Sequence, residues 1–214
     1  MKRTLTALAL IFGAASVGQA ATIANGSFED GTAPGVFTTL NSVDSTSITG
    51  WTVGSGSIDY IGSYWQASDG NRSLDLTGVA KGSIFTTITD LIVGTAYKIY
   101  FDLSGNPDGP PPGKQLKVAL ANPLTTENYQ YNTNTAGNSH ADMKWVTYVL
   151  EFVATSTSSV LTFSAGNGGG NGAACCYGPA LDNVRIAAVP LPAGGVLLLS
   201  GLAGIAALRR RKTI

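Results

Sequence analysis

The chain has 214 residues, 44% apolar and only 12% charged, with 27 glycines and 13 basic residues against 13 acidic ones. Six of the basic residues (Lys2, Arg3, Arg209, Arg210, Arg211 and Lys212) sit at the two ends, so the body carries all 13 acids against seven bases, a balance of −6. That balance argues against a nucleic-acid binder, whose affinity rests on Lys and Arg at phosphates, and neither a Ser-His-Asp triad nor a G-x-S-x-G elbow is identifiable.

Residues 1–20 run from Lys2 and Arg3 through the apolar stretch Leu5–Ala15 to the small-x-small site Gly18-Gln19-Ala20. This is the order of a secretory signal peptide, too short to be a good membrane span. Signal peptidase would leave Ala21 as the first residue. Residues 21–188 are of single-domain length and able to bury a sizeable core. Within them, short alternating segments punctuated by turns predict an all-β protein. The expected strands lie in 56–65, 73–78, 83–91, 95–105, 115–121, 145–154, 159–166 and 180–188. In 95–105, Tyr97, Ile99 and Phe101 are expected inward and Lys98, Tyr100 and Asp102 on the other face. Loops are expected at 106–114, 125–142 and 166–179, where proline, glycine and polar residues concentrate. Eight or so strands in this order suggest a jelly-roll β-sandwich.

The last segment, 189–214, opens on Val189-Pro190-Leu191-Pro192-Ala193, continues through an uncharged run from Val196 to Leu208, and ends on Arg209-Arg210-Arg211-Lys212. As a helix the uncharged run is about 20 Å long, short of the ~30 Å hydrocarbon core. The basic end would remain on the cytoplasmic side, so the segment can pause in the inner membrane with the body outside. This order of motif, apolar run and basic end resembles a bacterial PEP-CTERM sorting signal of the VPLPA kind. The resemblance implies cleavage and transfer to the surface by an exosortase-like membrane transpeptidase, with Val189, Pro190, Leu191, Pro192 and Ala193 as its recognition motif. A plain membrane anchor is the alternative.

Three stretches of the body carry a second resemblance: NGSFEDG (25–31), DYIGSYWQASDGNRSLDLTG (59–78) with FDLSGNPDG (101–109), and YGPALDNVRI (177–186). Together they resemble the bacterial "choice-of-anchor C" surface proteins. More distantly they are similar to plant cell-wall proteins and to carbohydrate-binding modules with a galactose-binding-like jelly roll. The resemblance implies a β-sandwich displayed at the surface of a Gram-negative-type bacterium, and no particular reaction. Similar modules hold a structural Ca²⁺ between an N-terminal N-G-x-F-E segment and a C-terminal Asp, which makes Glu29 and Asp182 the expected metal ligands, with backbone carbonyls near Asn25 completing a hard oxygen set. Read without the resemblance, the same two acids cap turns or meet Lys or Arg.

Trp51, Tyr60, Tyr64 and Trp65 form the richest aromatic cluster. Trp51 and Tyr60 fit core positions. Tyr64 and Trp65 are adjacent, so on a strand they face opposite ways and at least one lies outside the core. An exposed ring stacks on the apolar face of a sugar, so Tyr64 and Trp65 are expected at a carbohydrate site, with Asn106, Asp108 and Lys114 of the proline loop as polar contacts. The adjacent Cys175 and Cys176 would form a vicinal disulfide, stay as thiols, or link to another molecule. Their Cα atoms, ~3.8 Å apart, fall below the usual disulfide range. Asp59 and Asp75 are the weakly supported members of a glycosidase-type carboxylate pair. The expected function is a non-enzymatic, exported surface or matrix protein that binds extracellular polysaccharide. A purely structural matrix protein is the alternative, and a carbohydrate-active enzyme a more distant one.

Overall fold

The computed structural model describes residues 20–166 and 176–190. Cys175, the sorting-motif residues Leu191, Pro192 and Ala193, and residues 1–19 lie outside them. The described chain forms eleven strands in two antiparallel sheets. One sheet has the order β1 (Phe37–Asn41), β3 (Ser57–Ile61), β4 (Ser73–Asp75), β11 (Pro179–Ala188), β6 (Ala96–Gly105), β9 (Val146–Val153). The other has the order β2 (Thr52–Val53), β5 (Ser83–Ile88), β10 (Ser159–Ala165), β7 (Gly113–Leu120), β8 (Thr125–Asn132), and a single helical turn, α1 (Thr133–Ala136), follows β8. From β4 onward every connection except the β7–β8 hairpin crosses between the sheets, which is the jelly-roll β-sandwich expected from the strand rhythm.

Alternation explains the layers. Along β6, Tyr97, Ile99, Phe101 and Leu103 point between the sheets and are buried, as are Leu116, Val118 and Leu120 of β7 and Leu161 and Phe163 of β10. Trp51 joins this core, its ring 5.1 Å from Phe28 and 6.2 Å from Phe163. Each such side chain contributes roughly 1.5–3 kcal/mol on burial, so the inter-sheet layer is the main source of stability.

A second, smaller core lies on the outer face of the six-stranded sheet. Ile61, Trp65, Met143 and Ala180 cluster there with Tyr64 and Trp145 packed against them. This cover explains why all five residues of β3 are buried although its sequence alternates. It also explains why Asp102, on the outer side of β6, is only 5% exposed.

Two departures from the sequence reading stand out. Residues 125–132 were expected in a loop and instead form edge strand β8, paired with β7 over its full length from Thr125↔Leu120 to Asn132↔Gly113. Its inward positions are tyrosines: Tyr131 is buried, its hydroxyl donating to the carbonyls of Met143 and Lys144. β1 and β2 are strands that alternation did not single out.

The N-terminal segment crosses β11 in backbone contact. Val184 N–H donates to Gly26 O at 2.8 Å, and a Cβ on Gly26 would lie 1.8 Å from Val184 O. Only glycine permits that approach. The crossing brings residue 29 to the same end of the sheet as residue 182. No helix among the described residues is long and apolar enough to cross a membrane.

Candidate functional site

Glu29 and Asp182 reach the same loop, 68–72, from opposite ends of the sequence. Asp182 Oδ2 accepts the backbone N–H groups of Ser68 (2.7 Å) and Asp69 (2.9 Å), and its Oδ1 accepts Asn183 N–H. Glu29 Oε1 accepts the N–H groups of Asn71 (2.8 Å) and Arg72 (2.6 Å). Between the two clamps sits Gly70, at φ +69°, where a Cβ would stand 2.5 Å from the Glu29 carboxyl. Asn183 takes φ +51° at the β11 irregularity between Asp182 and Arg185. Its amide and the Ser68 hydroxyl both donate to Asp102 Oδ2, while Thr147 Oγ1 donates to Oδ1.

Carboxylates that accept N–H groups are already serving a positive dipole, which is the opposite of what a cation cage offers. Ca²⁺ takes 6–8 oxygens. Here the partners of Glu29 and Asp182 on the loop are donors, and no group of three or more His, Cys, Asp or Glu side chains among the described residues is placed to hold a metal ion. The arrangement is a hydrogen-bonded loop clamp. Burial pushes the Asp182 carboxyl up to about 7, against the pull of its three N–H donors.

The clamped loop belongs to a longer segment, 62–72, that covers the outer face of the six-stranded sheet. On that face the register aligns Thr39, Asp59, Asp75 and Ala180 in one row, and Phe37, Ile61 and Ser73 in the next. Above them Phe37, Asp59, Ile61, Tyr64, Asn106, Cys176 and Tyr177 line a cleft of about 100 Å³. A broader groove of about 460 Å³ lies on the other side of the Gly62–Tyr64 stretch, and Pro34, Gln66, Asn71 and Arg72 are among its lining residues. Trp65 is its one aromatic lining residue and is only 4% exposed.

Four of the expected sugar contacts lie together but differ in exposure. Tyr64 lines the cleft, its ring 5.3 Å from Phe37 and 4.5 Å from His140. Its hydroxyl donates to Asp108 Oδ2 at 2.7 Å, which pushes the phenol up to about 12. Asp108 also meets His140 Nε2 at 2.7 Å, so it braces Tyr64 from behind. Trp65 is largely buried in the outer core, its indole N–H donating to Ser73 Oγ, and meets the broader groove with the 4% of its surface that stays exposed. Asn106 lines the cleft and is held from behind. It is 4% exposed, its amide donates to Asp75 Oδ2 and Cys176 O, and its Oδ1 accepts Asp108 N–H, so both ends of the side chain hold the loop.

Beneath the cleft lies a buried polar layer. Asp75 is fully buried, and its oxygens accept Thr77 N–H, Gly178 N–H and the Asn106 amide. Burial pushes it up to about 7. Lys114, 1% exposed, donates to the carbonyls of Gly109 and Tyr177, and burial lowers its ammonium to about 8. Asp59 stands directly opposite Asp75 across β3 and β4, but Asp75 has its oxygens engaged and no path to a substrate, which leaves the pair without an accessible acid and base. Asp59 itself is 9% exposed and lines the cleft, with Oδ1 accepting the Thr39 hydroxyl at 2.5 Å. Phe37, Asp59 and Tyr177 were not singled out as binding residues by the sequence. The register of β1 and β3 is what gathers the first two.

Among solved structures, the chain is similar to the CBM22-1 xylan-binding domain of Paenibacillus barcinonensis Xyn10C, with 18% identity, a TM-score of 0.46, and coverage of 78% of this chain and 93% of that one. It is likewise similar to TmCBM61 in complex with β-1,4-galactotriose, at 12% identity and a TM-score of 0.45, covering 78% and 97%. In sequence, 179 residues are 35% identical to halomucin of Haloquadratum walsbyi, an alignment that takes in 81% of this chain but only 2% of that far longer protein. The model of the family described as "Protein of unknown function (DUF642)" matches residues 21–187, and the chain belongs to that family.

Proposed function

We propose that this protein is a non-enzymatic component of the cell surface or extracellular matrix that binds polysaccharide at the outer face of its six-stranded sheet. In this reading the signal peptide exports it, the C-terminal segment holds it briefly in the inner membrane, and an exosortase-like transpeptidase processes it at Val189–Ala193. The observation that carries the binding role is the cleft walled by Phe37, Tyr64 and Tyr177. Aromatic rings offer flat apolar surface to a sugar, and Tyr64 is braced for that purpose by Asp108. The broader groove beyond Gly62–Tyr64, with Gln66, Asn71 and Arg72 among its lining residues, extends this surface to neighbouring sugars of a chain. The Glu29–Asp182 clamp keeps the intervening loop rigid, so little ordering entropy is lost on binding.

The test is a glycan array probed with the wild-type protein and with Tyr64→Ala. Saturable binding that the substitution weakens about tenfold or more, the scale of losing an interface aromatic, supports the proposal. No saturable binding by the wild type overturns it and leaves a purely structural role. The intact mass of protein recovered from the cell surface tests the two trimming steps: a product that still contains residues 1–20 and 194–214 refutes the sorting route.

A further inference from the structure

We propose that the cleft selects a protonated amine, and hence polysaccharides that contain free amino sugars; this rests on the polysaccharide reading above. Three observations converge. The first is a carboxylate without a counter-ion. Asp59 is more than nine-tenths buried, Thr39 occupies one of its oxygens, and no Lys or Arg among the described residues forms an ion pair with it. A buried charge is ordinarily paired, and Asp59 lines a space that a ligand can enter.

The second observation is the wall. Phe37, Tyr64 and Tyr177 line the same space as Asp59, and aromatic faces attract ammonium groups through the ring quadrupole. An acid with aromatic walls suits a cation better than it suits a neutral hydroxyl, which gains from the carboxylate but not from the rings. The third is size. About 100 Å³ is well below the ~300 Å³ at which pockets begin to enclose a whole small molecule. The cleft takes one substituent of a larger ligand, and the rest of that ligand lies outside it.

The surrounding charges agree. Asp108 stands behind Tyr64, its Oδ1 2.7 Å from His140 Nε2, and Asp75, partly protonated at neutral pH, lies beside Asp59 across β3 and β4. The nearby Lys114 ammonium is tied to the carbonyls of Gly109 and Tyr177, with its Nζ 5.9 Å from the Tyr177 ring centroid. A uronate would bring its carboxylate against Asp59 and be repelled.

The experiment measures binding of the full chain, by calorimetry at neutral pH, to tetramers of glucosamine, N-acetylglucosamine, glucose and galacturonic acid. The glucosamine oligomer is expected to bind at least about tenfold more tightly than the other three, and Asp59→Asn is expected to remove that preference, as loss of a buried charge partner would. Equal affinity for the neutral oligomers, or an unchanged preference in Asp59→Asn, overturns the amine inference while leaving polysaccharide binding intact. If Asp59→Asn does not fold, competition decides: tetramethylammonium chloride is expected to displace the glucosamine oligomer more strongly than sodium chloride at equal ionic strength, and equal displacement overturns the inference. If no oligomer binds the wild type, the polysaccharide reading fails. In that case a melting shift with tetramethylammonium that Tyr64→Ala abolishes still supports the ammonium site, and no shift ends it.

Discussion

Asp75 gives the clearest quantitative prediction, because it is fully buried and its carboxyl is raised from an ordinary 3.8 to about 7. Between those two values the folded protein holds a proton that the unfolded chain has released. The folded state therefore binds more protons, and stability falls as pH rises across that window. The slope approaches about 1.4 kcal/mol per pH unit, so the full window is worth at most about 4 kcal/mol from this one group. Asp182, also raised to about 7, adds to the same slope, and Asp59 is raised by burial in the same direction. Asp44 is lowered by its bonds to Ser47 and Thr46 although burial opposes them, and Asp142 chiefly by Lys144. These two act with the opposite sign but at pH values below 3.8. Urea unfolding from pH 4.5 to 7.5, at constant ionic strength, reads the wild-type slope. Asp75→Asn cannot titrate and is expected to remove its share, so the wild-type advantage over the variant shrinks by several kcal/mol from the acid end to pH 7. A wild-type stability that is flat or rising over this range, or parallel profiles for the two proteins, would refute the reasoning.

Three further outcomes follow from the geometry. Gly70→Ala forces a Cβ onto a residue at φ +69° and into the Glu29 carboxyl; a loss of about 1–3 kcal/mol is expected by chemical denaturation, and a neutral result would mean the clamp is not rigid. Trp65→Ala empties the outer core and is expected to cost about 3–5 kcal/mol, whereas Tyr64→Ala, next to it in sequence, costs less stability and more glycan affinity; the reverse ranking would invert the assignment of the two rings. Because Glu29 and Asp182 are engaged by N–H donors, excess chelator is expected to leave the thermal midpoint unchanged, and a drop of several degrees would establish a structural cation.

The sequence made the inter-sheet core legible because alternation is a direct imprint of a half-buried strand: Tyr97, Ile99 and Phe101 read correctly from their spacing alone. It was silent on β8, since TTENYQYN has no aliphatic residue and its inward positions are filled by Tyr129 and Tyr131. The outer core was equally hidden. Adjacency would set Tyr64 and Trp65 on opposite faces of a strand, but β3 ends at Ile61 and the two rings pack together, 5.6 Å between centroids. That Trp65 is the buried one depends on Met143 and Ala180, distant in sequence. Glu29 and Asp182 were expected to meet, and they hold one loop between them. Their partners are backbone N–H groups, which every residue but proline possesses and no sequence pattern announces. Asn106 was read as a rim contact because it sits in a proline loop; only its contacts with Asp75, Cys176 and Asp108 reveal a brace.

The final strand, β11, runs between β4 and β6 and stays bonded through Val189 N–H to Ala96 O. A tug on the chain beyond Pro190 would thus be directed along an interior strand, not an edge one. Its hydrogen bonds to β6 stretch from Pro179 to Ala188 and lie across the line of pull, so they share a load in shear instead of opening one by one like a zipper.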